Sequence, residues 1–344
     1  MTTPWINRIG TAVPGHDIHR AFVDWAVAQP VEERERRLFL RMAERSGIVH
    51  RWSVLPHAPD GGSPVAPGGF YDGGAMPSTG VRMARYAEAA PALAERAVRA
   101  LGETGPVSHL VVASCTGFVA PGVDQLLAAR LGLPGDVERT LIGFMGCYAA
   151  VAALRTAHHI VRSTPAARVL VVTVELSTLH LQPEERLEPL LAMLQFGDGA
   201  AAALVTAEPG GLSIEQPFSE TLPDSEGLIR WTIGDHGFAM HLSGAVPQRI
   251  GEALATPDLR ARLAGERIAV HAGGRSILDA VEHALALPGD ALAASRAVLR
   301  EHGNMSSSTL MFTLARLLGQ AGDGVAVAFG PGLAAEGFRF RSAA

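Results

Sequence analysis

Three residues are of types that could together transfer an acyl group: Cys147, His271 and Asn304. Cys147 lies in LIGFMGCYAAVAALRTAHHIV, residues 141 to 161, where Gly143 and Gly146 interrupt an apolar run just before it. Behind it Ala150, Ala153, Leu154, Ala157, Ile160 and Val161 recur at helical spacing. The stretch predicts a strand ending near Thr140, a tight glycine turn, and a buried helix opening at or next to Cys147. Unpaired N–H groups and the positive end of the helix dipole favour a thiolate there, which predicts a lowered cysteine pKa. The plain alternative is a small buried hydrophobe in a core helix, which is what most free cysteines are. Taken alone, His271 reads as a satisfied core histidine and Asn304 as a helix N-cap.

Composition narrows the chemistry. The 344 residues are 48% hydrophobic and 18% charged, which describes a folded α/β protein with a large core. The chain contains no lysine, so all 29 basic residues are arginine. Schiff-base and pyridoxal-lysine chemistry and a P-loop lysine are thereby excluded. A formal charge of −5 with no basic run argues against a nucleic-acid surface. Two cysteines, Cys115 and Cys147, give no disulfide framework and fit a reducing compartment. MTTPWINRIG lacks the order of a signal peptide, and the apolar run Leu141 to Leu154 is too short to span a bilayer. A cytoplasmic protein without stable membrane insertion is expected.

The elements that must position these residues follow from patterning. Ile6 to Val13 reads as a strand, and Arg20 to Arg45 as one helix with Arg41 and Arg45 four apart on one face. That pair reads as a solvated, salt-bridged face or as a clamp for a phosphate-bearing cofactor. A Pro/Gly/Asp-rich loop covers 56 to 79, and a long helix runs from Thr79 to Gly102. A buried strand from His109 to Ala113 places Cys115 just beyond its carboxyl end, where α/β sheets hold ligands. A helix over 123 to 131, a strand from Arg168 to Val174 ending at Glu175, and a strand after Phe196 complete the first half.

Pro209-Gly210-Gly211 is the best boundary between halves, 1–209 and 210–344. The second half repeats the first: RIAVHAGGRSILDAVEHALAL echoes SHLVVASCTGFVAPGVDQLLAARL, and HGNMSSSTLMFTLARLLG echoes FMGCYAAVAALRTAHHIV. Duplicated βαβ halves about a pseudo-twofold axis would turn Cys147 and Asn304 towards a shared cleft, with His271 at a strand end between them. Corresponding placement gives the three residues a joint reading. A thiolate accepts an acyl group, while imidazole and carboxamide N–H groups hold an oxyanion. Papain-like proteases share the order Cys, His, Asn, but their C-G-[SA]-C-[WY] signature is absent.

The motifs GFMGCYAA, LQFGDGAAA, VHAGGRSILDAVE, REHGNMSSSTLMF and AFGPGLAAE carry a more specific signal. Through them the chain resembles type III polyketide synthases, the chalcone synthase-like branch of the thiolase-fold condensing enzymes, over essentially its whole length. The combination of H-x-G-G with G-N-M-S-S separates this branch from ketoacyl synthase III enzymes. The resemblance implies a thiolase-like fold in which the two halves form an αβαβα layered core. It implies a homodimeric acyltransferase using acyl-CoA and malonyl-CoA as substrates, with no metal and no other cofactor.

By the same resemblance Cys147 takes the starter acyl group, and His271 and Asn304 hold the malonyl thioester carbonyl and the enolate formed on decarboxylation. Phe196 matches the aromatic gatekeeper. Cys115, Ser177, His180, Trp231 and Met240 match cavity positions, each differing from the plant pattern. Ala120 stands where a plant methionine reaches into the partner's cavity. Arg41, Arg45 and Ser276 match coenzyme A contacts, and Arg37 stands beside a further such position occupied by Leu38. The cavity pattern implies iterative condensation on a fatty acyl starter, closing to an alkylresorcinol or alkylpyrone. A single condensation, another starter, or malonyl-CoA alone as in tetrahydroxynaphthalene formation are the alternatives.

Overall fold

The computed structural model describes residues 2–72 and 76–343. Its first half runs β1 (Trp5–Ala12), β2 (His16–Asp17), α1 (His19–Val27), α2 (Glu33–Arg45), β3 (Trp52–Ser53), α3 (Thr79–Ala100), β4 (His109–Ser114) and α4 (Val123–Leu131). It continues through β5 (Glu138–Gly143), α5 (Ala149–Ser163), β6 (Val169–Leu176), α6 (Leu187–Gln195) and β7 (Asp198–Thr206). The second half opens with β8 (Gly211–Ser213), β9 (Glu215–Thr221), β10 (Ile229–Gly234), β11 (Gly237–Leu242), α7 (Val246–Leu254) and α8 (Pro257–Arg262). It ends with β12 (Arg267–Val270), α9 (Arg275–Leu285), α10 (Ala293–His302), α11 (Ser307–Leu317), β13 (Asp323–Gly330) and β14 (Ala334–Ala343).

The main sheet has two leaves. One is ordered β1-β7-β6-β4-β5, with β4 parallel to β5 and β6, and β7 antiparallel to β6 and β1. The other is built of β12, β13, β14 and β9, with β12 and β13 parallel. The short β8 joins them by pairing with both β1 and β14. Both central strands, β6 and β7, are buried along their whole length, as expected of runs such as VLVVTVEL that lack polar alternation.

Three apolar clusters stack these leaves into five layers. The middle cluster contains α5 and α11, enclosed by Val111, Val171 and Ala203 of one leaf and Ala269, Ala326 and Phe338 of the other. Alanines at 149, 150, 153 and 157 allow α5 to lie close to both sheets. Outside the first leaf lie α1, α3, α4 and α6; outside the second lie α7, α9 and α10. This is the αβαβα order of a thiolase-like fold. Its consequence for function is geometric: α5 and α11 begin at the same end of the central layer, behind Cys147 and Asn304 respectively.

Three expectations need correction. The helix over 20 to 45 is two helices, because Pro30 lacks the N–H that a continuous helix requires, and α2 restarts only at Glu33. The strand before Cys147 runs on past Thr140, since β5 keeps its parallel register with β4 as far as the pairing of Ser114 with Gly143. The echo between the halves holds for turn and buried helix but not before them: Asn304 follows helix α10, whereas Cys147 follows strand β5. Of the loop expected over 56 to 79, residues 73–75 lie outside the described residues.

Candidate active site

Cys147 occupies a single 3-10 turn, Gly146–Tyr148, between β5 and α5. The chain reverses into it through positive φ angles at Phe144 (58°) and Gly146 (74°). Glycine is needed at 146 for a second reason: a Cβ there would stand 2.6 Å from two ring carbons of Pro331. The thiol is therefore fixed at the junction of the two halves.

Asn304 reaches the same place from the other half. Its Oδ1 accepts from Ser306 N at 2.8 Å and from Thr309 Oγ1 at 3.4 Å, which fixes the amide orientation. Its Nδ2 donates to Gly273 O at 3.2 Å, and the other amide hydrogen faces the Cys147 sulfur. Ser306 adopts φ 47° and ψ −126°, a costly conformation for a non-glycine residue, and its hydroxyl points to Cys147 Sγ at 3.8 Å. His271 follows β12, with its N–H on Val327 O at 2.9 Å. Its imidazole is buried, and among the described residues neither ring nitrogen has a hydrogen-bond partner. A buried unpaired imidazole is costly, and such a group in a native fold signals a ligand's place.

The electrostatics correct one expectation. Cys147 does sit at a helix start, yet burial pushes its thiol up to about 12, against opposing hydrogen bonds from Ser306 and Asn304. Burial likewise pushes His271 down to about 3. Exclusion of water outweighs the helix dipole here, so at neutral pH the site holds a neutral thiol and a neutral imidazole.

A hydrogen-bonded chain leads away from the thiol. Cys115 Sγ lies 3.2 Å from Ser306 Oγ and 3.4 Å from Glu175 Oε2. Glu175 is fully buried and also accepts from Cys115 N, Thr116 Oγ1 and Ser307 Oγ; burial raises its pKa. Cys115 is thus one hydroxyl removed from Cys147, and burial and Glu175 hold its own pKa well above the ordinary value.

Two cavities reach residues next to this site, Phe196 in one and Gly273 in the other, though Cys147, His271 and Asn304 line neither. One, of about 270 Å³, is lined by Ser177, His180, Phe196, Trp231 and Met240, so these five sequence-derived cavity residues come together. Trp231 faces inward, its ring centroid 6.1 Å from Phe196 and 6.3 Å from His180, with Met240 opposite it across the β10–β11 hairpin. Ser177 Oγ is buried without a partner among the described residues. His180 is spoken for: one ring nitrogen lies 2.7 Å from Thr116 O and the other accepts from Phe238 N at 3.1 Å.

The second cavity, a cleft of about 790 Å³, is lined by Arg45, Ser46, Gly273, Gly274, Arg275 and Ser276 among others, and shares Arg186 and Ala192 with the first. Arg45 and Ser276 are therefore together. Arg41 is exposed one turn away on α2 and does not line the cleft, and Arg37 is tied to Glu33 at 3.4 Å. Ala120 is exposed and lines neither cavity. Ser306, Glu175, Arg186 and Arg275 were missed by sequence reasoning, although Ser306 and Arg275 stand inside the motifs it used.

Comparison with known proteins agrees with this geometry. Residues 8–209 match the model for chalcone and stilbene synthases, N-terminal domain, and residues 213–344 match that for the C-terminal domain. Type III polyketide synthase C of Arabidopsis thaliana is 34% identical over 262 residues, covering 69% of this chain and 68% of the relative. The alpha-pyrone synthesis polyketide synthase-like Pks18 of Mycobacterium tuberculosis is 33% identical over 280 residues, 74% of this chain and 71% of that one. The type III polyketide synthase domain of Steely1 from Dictyostelium superposes with a TM-score of 0.90 at 26% identity, over 99% of this chain and 100% of that one. PKS-I of the brown alga Ectocarpus siliculosus gives 0.87 at 30% identity, over 100% and 99%. With both halves matched end to end, the chain belongs to the chalcone and stilbene synthase family and is a type III polyketide synthase, an acyltransferase that works by condensation.

Proposed function

We propose that the protein loads an acyl group from acyl-CoA onto Cys147 and extends it by repeated decarboxylative condensation with malonyl-CoA. The observation that carries this reading is His271, a buried neutral imidazole with both nitrogens unpaired among the described residues, one glycine-rich turn from the Asn304 amide that faces Cys147. In the loading step the Cys147 sulfur attacks the thioester carbonyl and coenzyme A leaves as the thiol, carrying the proton that Cys147 gives up. Malonyl-CoA then loses CO₂, and its enolate oxygen takes hydrogen bonds from His271 and Asn304. The enolate carbon attacks the Cys147 thioester, releasing the sulfur, which takes up a proton from solvent, and leaving the lengthened chain on coenzyme A; a further transfer to Cys147, with coenzyme A leaving as the thiol, starts the next round. Burial supports this role for His271, because a neutral ring keeps one N–H to donate and a site without competing water strengthens that bond.

The cleft lined by Arg45, Arg186, Arg275 and Ser276 would hold the coenzyme A arm, with Arg41 and Arg37 further out on the same helix. The 270 Å³ cavity behind Phe196 would hold the growing chain. The apolar side of its wall, Leu181, Met193, Trp231, Phe238 and Met240, supports an aliphatic acyl starter, while Gln182, Glu184 and Arg230 make the rest polar, and closure to an alkylpyrone or alkylresorcinol fits the relation to Pks18. The coenzyme A thioesters are substrates, and the reaction as proposed needs neither a metal nor another cofactor.

A homodimer completes the reading. Among the described residues β5 pairs only with β4, and exposed apolar side chains stand on it at Leu141 (46%), just after it at Phe144 (58%), and on the loop after β4 at Phe118 (65%). An apolar unpaired edge of this kind calls for a partner. No helix among the described residues is long and apolar enough to cross a membrane, and two free cysteines support a cytoplasmic setting. The test is a panel of acyl-CoA starters with malonyl-CoA and mass analysis of products. Products lengthened by several two-carbon units support the proposal; one unit at most, whatever the starter, overturns it.

A further inference from the structure

Two arginines outside both cavities are fully buried, Arg51 and Arg82. Among the described residues neither has a carboxylate within ion-pair distance. Burying a guanidinium without such a partner is expensive, and desolvation lowers the pKa of both. Each directs its Nη1 at two backbone carbonyls instead, and those four carbonyls belong to one segment; Arg82 Nε donates outside it, to Pro77 O at 2.9 Å. Arg51 Nη1 donates to Met193 O at 2.9 Å and Phe196 O at 2.8 Å. Arg82 Nη1 donates to Leu179 O at 2.6 Å and Leu181 O at 2.9 Å. The segment between them, Leu179–Phe196, walls the chain cavity and part of the coenzyme A cleft.

The surroundings are shaped for these side chains. Arg51 caps the end of α6, where helix carbonyls lack internal partners. It passes beneath two glycines: a Cβ at Gly303 would stand 2.9 Å from Arg51 Cγ, and one at Gly197 3.5 Å from Arg51 Cβ. Those glycines flank Asn304 and Phe196, whose backbones are themselves bridged. Its Nε donates to His19 Nδ1 at 3.0 Å. Arg82 lies against the hairpin that carries Trp231: a Cβ at Gly237, where φ is +103°, would stand 3.0 Å from Arg82 Nη1.

We infer that Arg51 and Arg82 are positioning residues that hold the two ends of the Leu179–Phe196 segment by its carbonyls. Arg51 sets Phe196 together with Asn304, and Arg82 sets the cavity wall at His180 and the Trp231 hairpin. The inference rests on the proposed roles of Asn304 and Phe196. Lysine keeps the charge but loses the two-carbonyl fork, so Arg→Lys isolates the geometry. A misplacement of about 1 Å at a distance from the chemistry can cost on the order of a hundredfold in rate.

The experiment compares wild type, Arg51→Lys and Arg82→Lys in three assays: acylation of Cys147 by intact mass, CO₂ release from malonyl-CoA without starter, and product size. Arg51→Lys should lower CO₂ release at least tenfold with acylation retained, while Arg82→Lys should shift product size and lower CO₂ release less. If Arg51→Lys does not fold, His19→Leu carries the test, because it removes the partner of Arg51 Nε and loosens the guanidinium without touching the segment; the same order of effects is expected, only smaller. Losses in proportion across all three assays, or none, would overturn the inference. Wild-type protein that neither acylates Cys147 nor releases CO₂ would instead remove the proposed function, and this inference with it.

Discussion

Phe196 and Asn304 are joined as a parallel β-bridge: Asn304 N donates to Gln195 O at 2.8 Å and Gly197 N donates to Asn304 O at 3.0 Å. The aromatic side chain at the mouth of the chain cavity and the amide proposed to hold the enolate thus share one short piece of backbone, although they come from different halves. Access to the cavity and the geometry of decarboxylation are coupled by this bridge. A change that moves Phe196 must move Asn304 or break two hydrogen bonds.

That coupling gives the first prediction. Asn304→Ala removes one oxyanion donor, which costs about a hundredfold or more in CO₂ release from malonyl-CoA. His271→Ala should lose it to at least the same degree. Acylation of Cys147 should survive in Asn304→Ala, because the main-chain bridge does not need the side chain. CO₂ release at the wild-type level in Asn304→Ala would contradict the role assigned to it.

The second prediction concerns the thiols. Acyl groups from acyl-CoA should map to Cys147 alone; Cys147→Ala should abolish the adduct and product, whereas Cys115→Ser should keep acylation and alter at most the products. With the Cys147 thiol pushed up to about 12 and His271 down to about 3, the resting site holds no thiolate–imidazolium pair. Iodoacetamide labelling of the empty enzyme should therefore be slow at pH 7 and keep rising above pH 9. A rate that levels off near neutrality would show that an ion pair does exist.

How far the sequence foretold this site differs from residue to residue. Cys147, His271 and Asn304 stood in glycine-punctuated motifs, and their convergence followed from the repeated order of elements. The inward direction of Trp231 was given by the family resemblance and not by patterning, because a strand's alternation does not say which face meets a cavity. It depends on the β10–β11 hairpin folding over His180 and Phe196, contacts far apart in the chain. The state of the Cys147 thiol was misread for a similar reason. A helix start is visible in one stretch of sequence, but the burial that outweighs it comes from both halves closing over the turn. Arg51 and Arg82 gave no sign at all, since an arginine destined for carbonyls reads like any surface arginine.

Acid sensitivity is the third prediction. Burial lowers His180 to about 4 and His271 to about 3, so both stay neutral in the fold while the unfolded chain takes up their protons near pH 6.5. Stability should fall as pH drops from about 6.5 towards 4, by roughly 1.4 kcal/mol per pH unit for each such proton. Asp198, raised by burial to about 7, has the opposite sign, because its native carboxyl holds a proton that the unfolded chain releases above about 4. His180→Gln should flatten the acid side of a plot of unfolding free energy against pH by up to one proton. An unchanged slope would mean that His180 carries the same charge in both states.

The last prediction concerns Trp231. Its indole is half-buried on β10, pairs with Met240 across the hairpin, and lies 6.5 Å from Phe238 and 6.1 Å from Phe196 by ring centroids. It fills space in a cavity of only about 270 Å³. Removing it exposes a volume where a longer chain can fold, on the side away from Cys147. The loss of contact has a cost: truncating a buried aromatic removes about 3–5 kcal/mol, and a half-buried one less. Trp231→Gly should melt at lower temperature yet fold, and acylation at Cys147 should persist because the turn is held by the close approach of Gly146 to Pro331. Product analysis with short and long acyl-CoA starters should then show longer products or a changed ratio of pyrone to resorcinol. An unchanged product profile from folded Trp231→Gly would mean that the growing chain never reaches this wall.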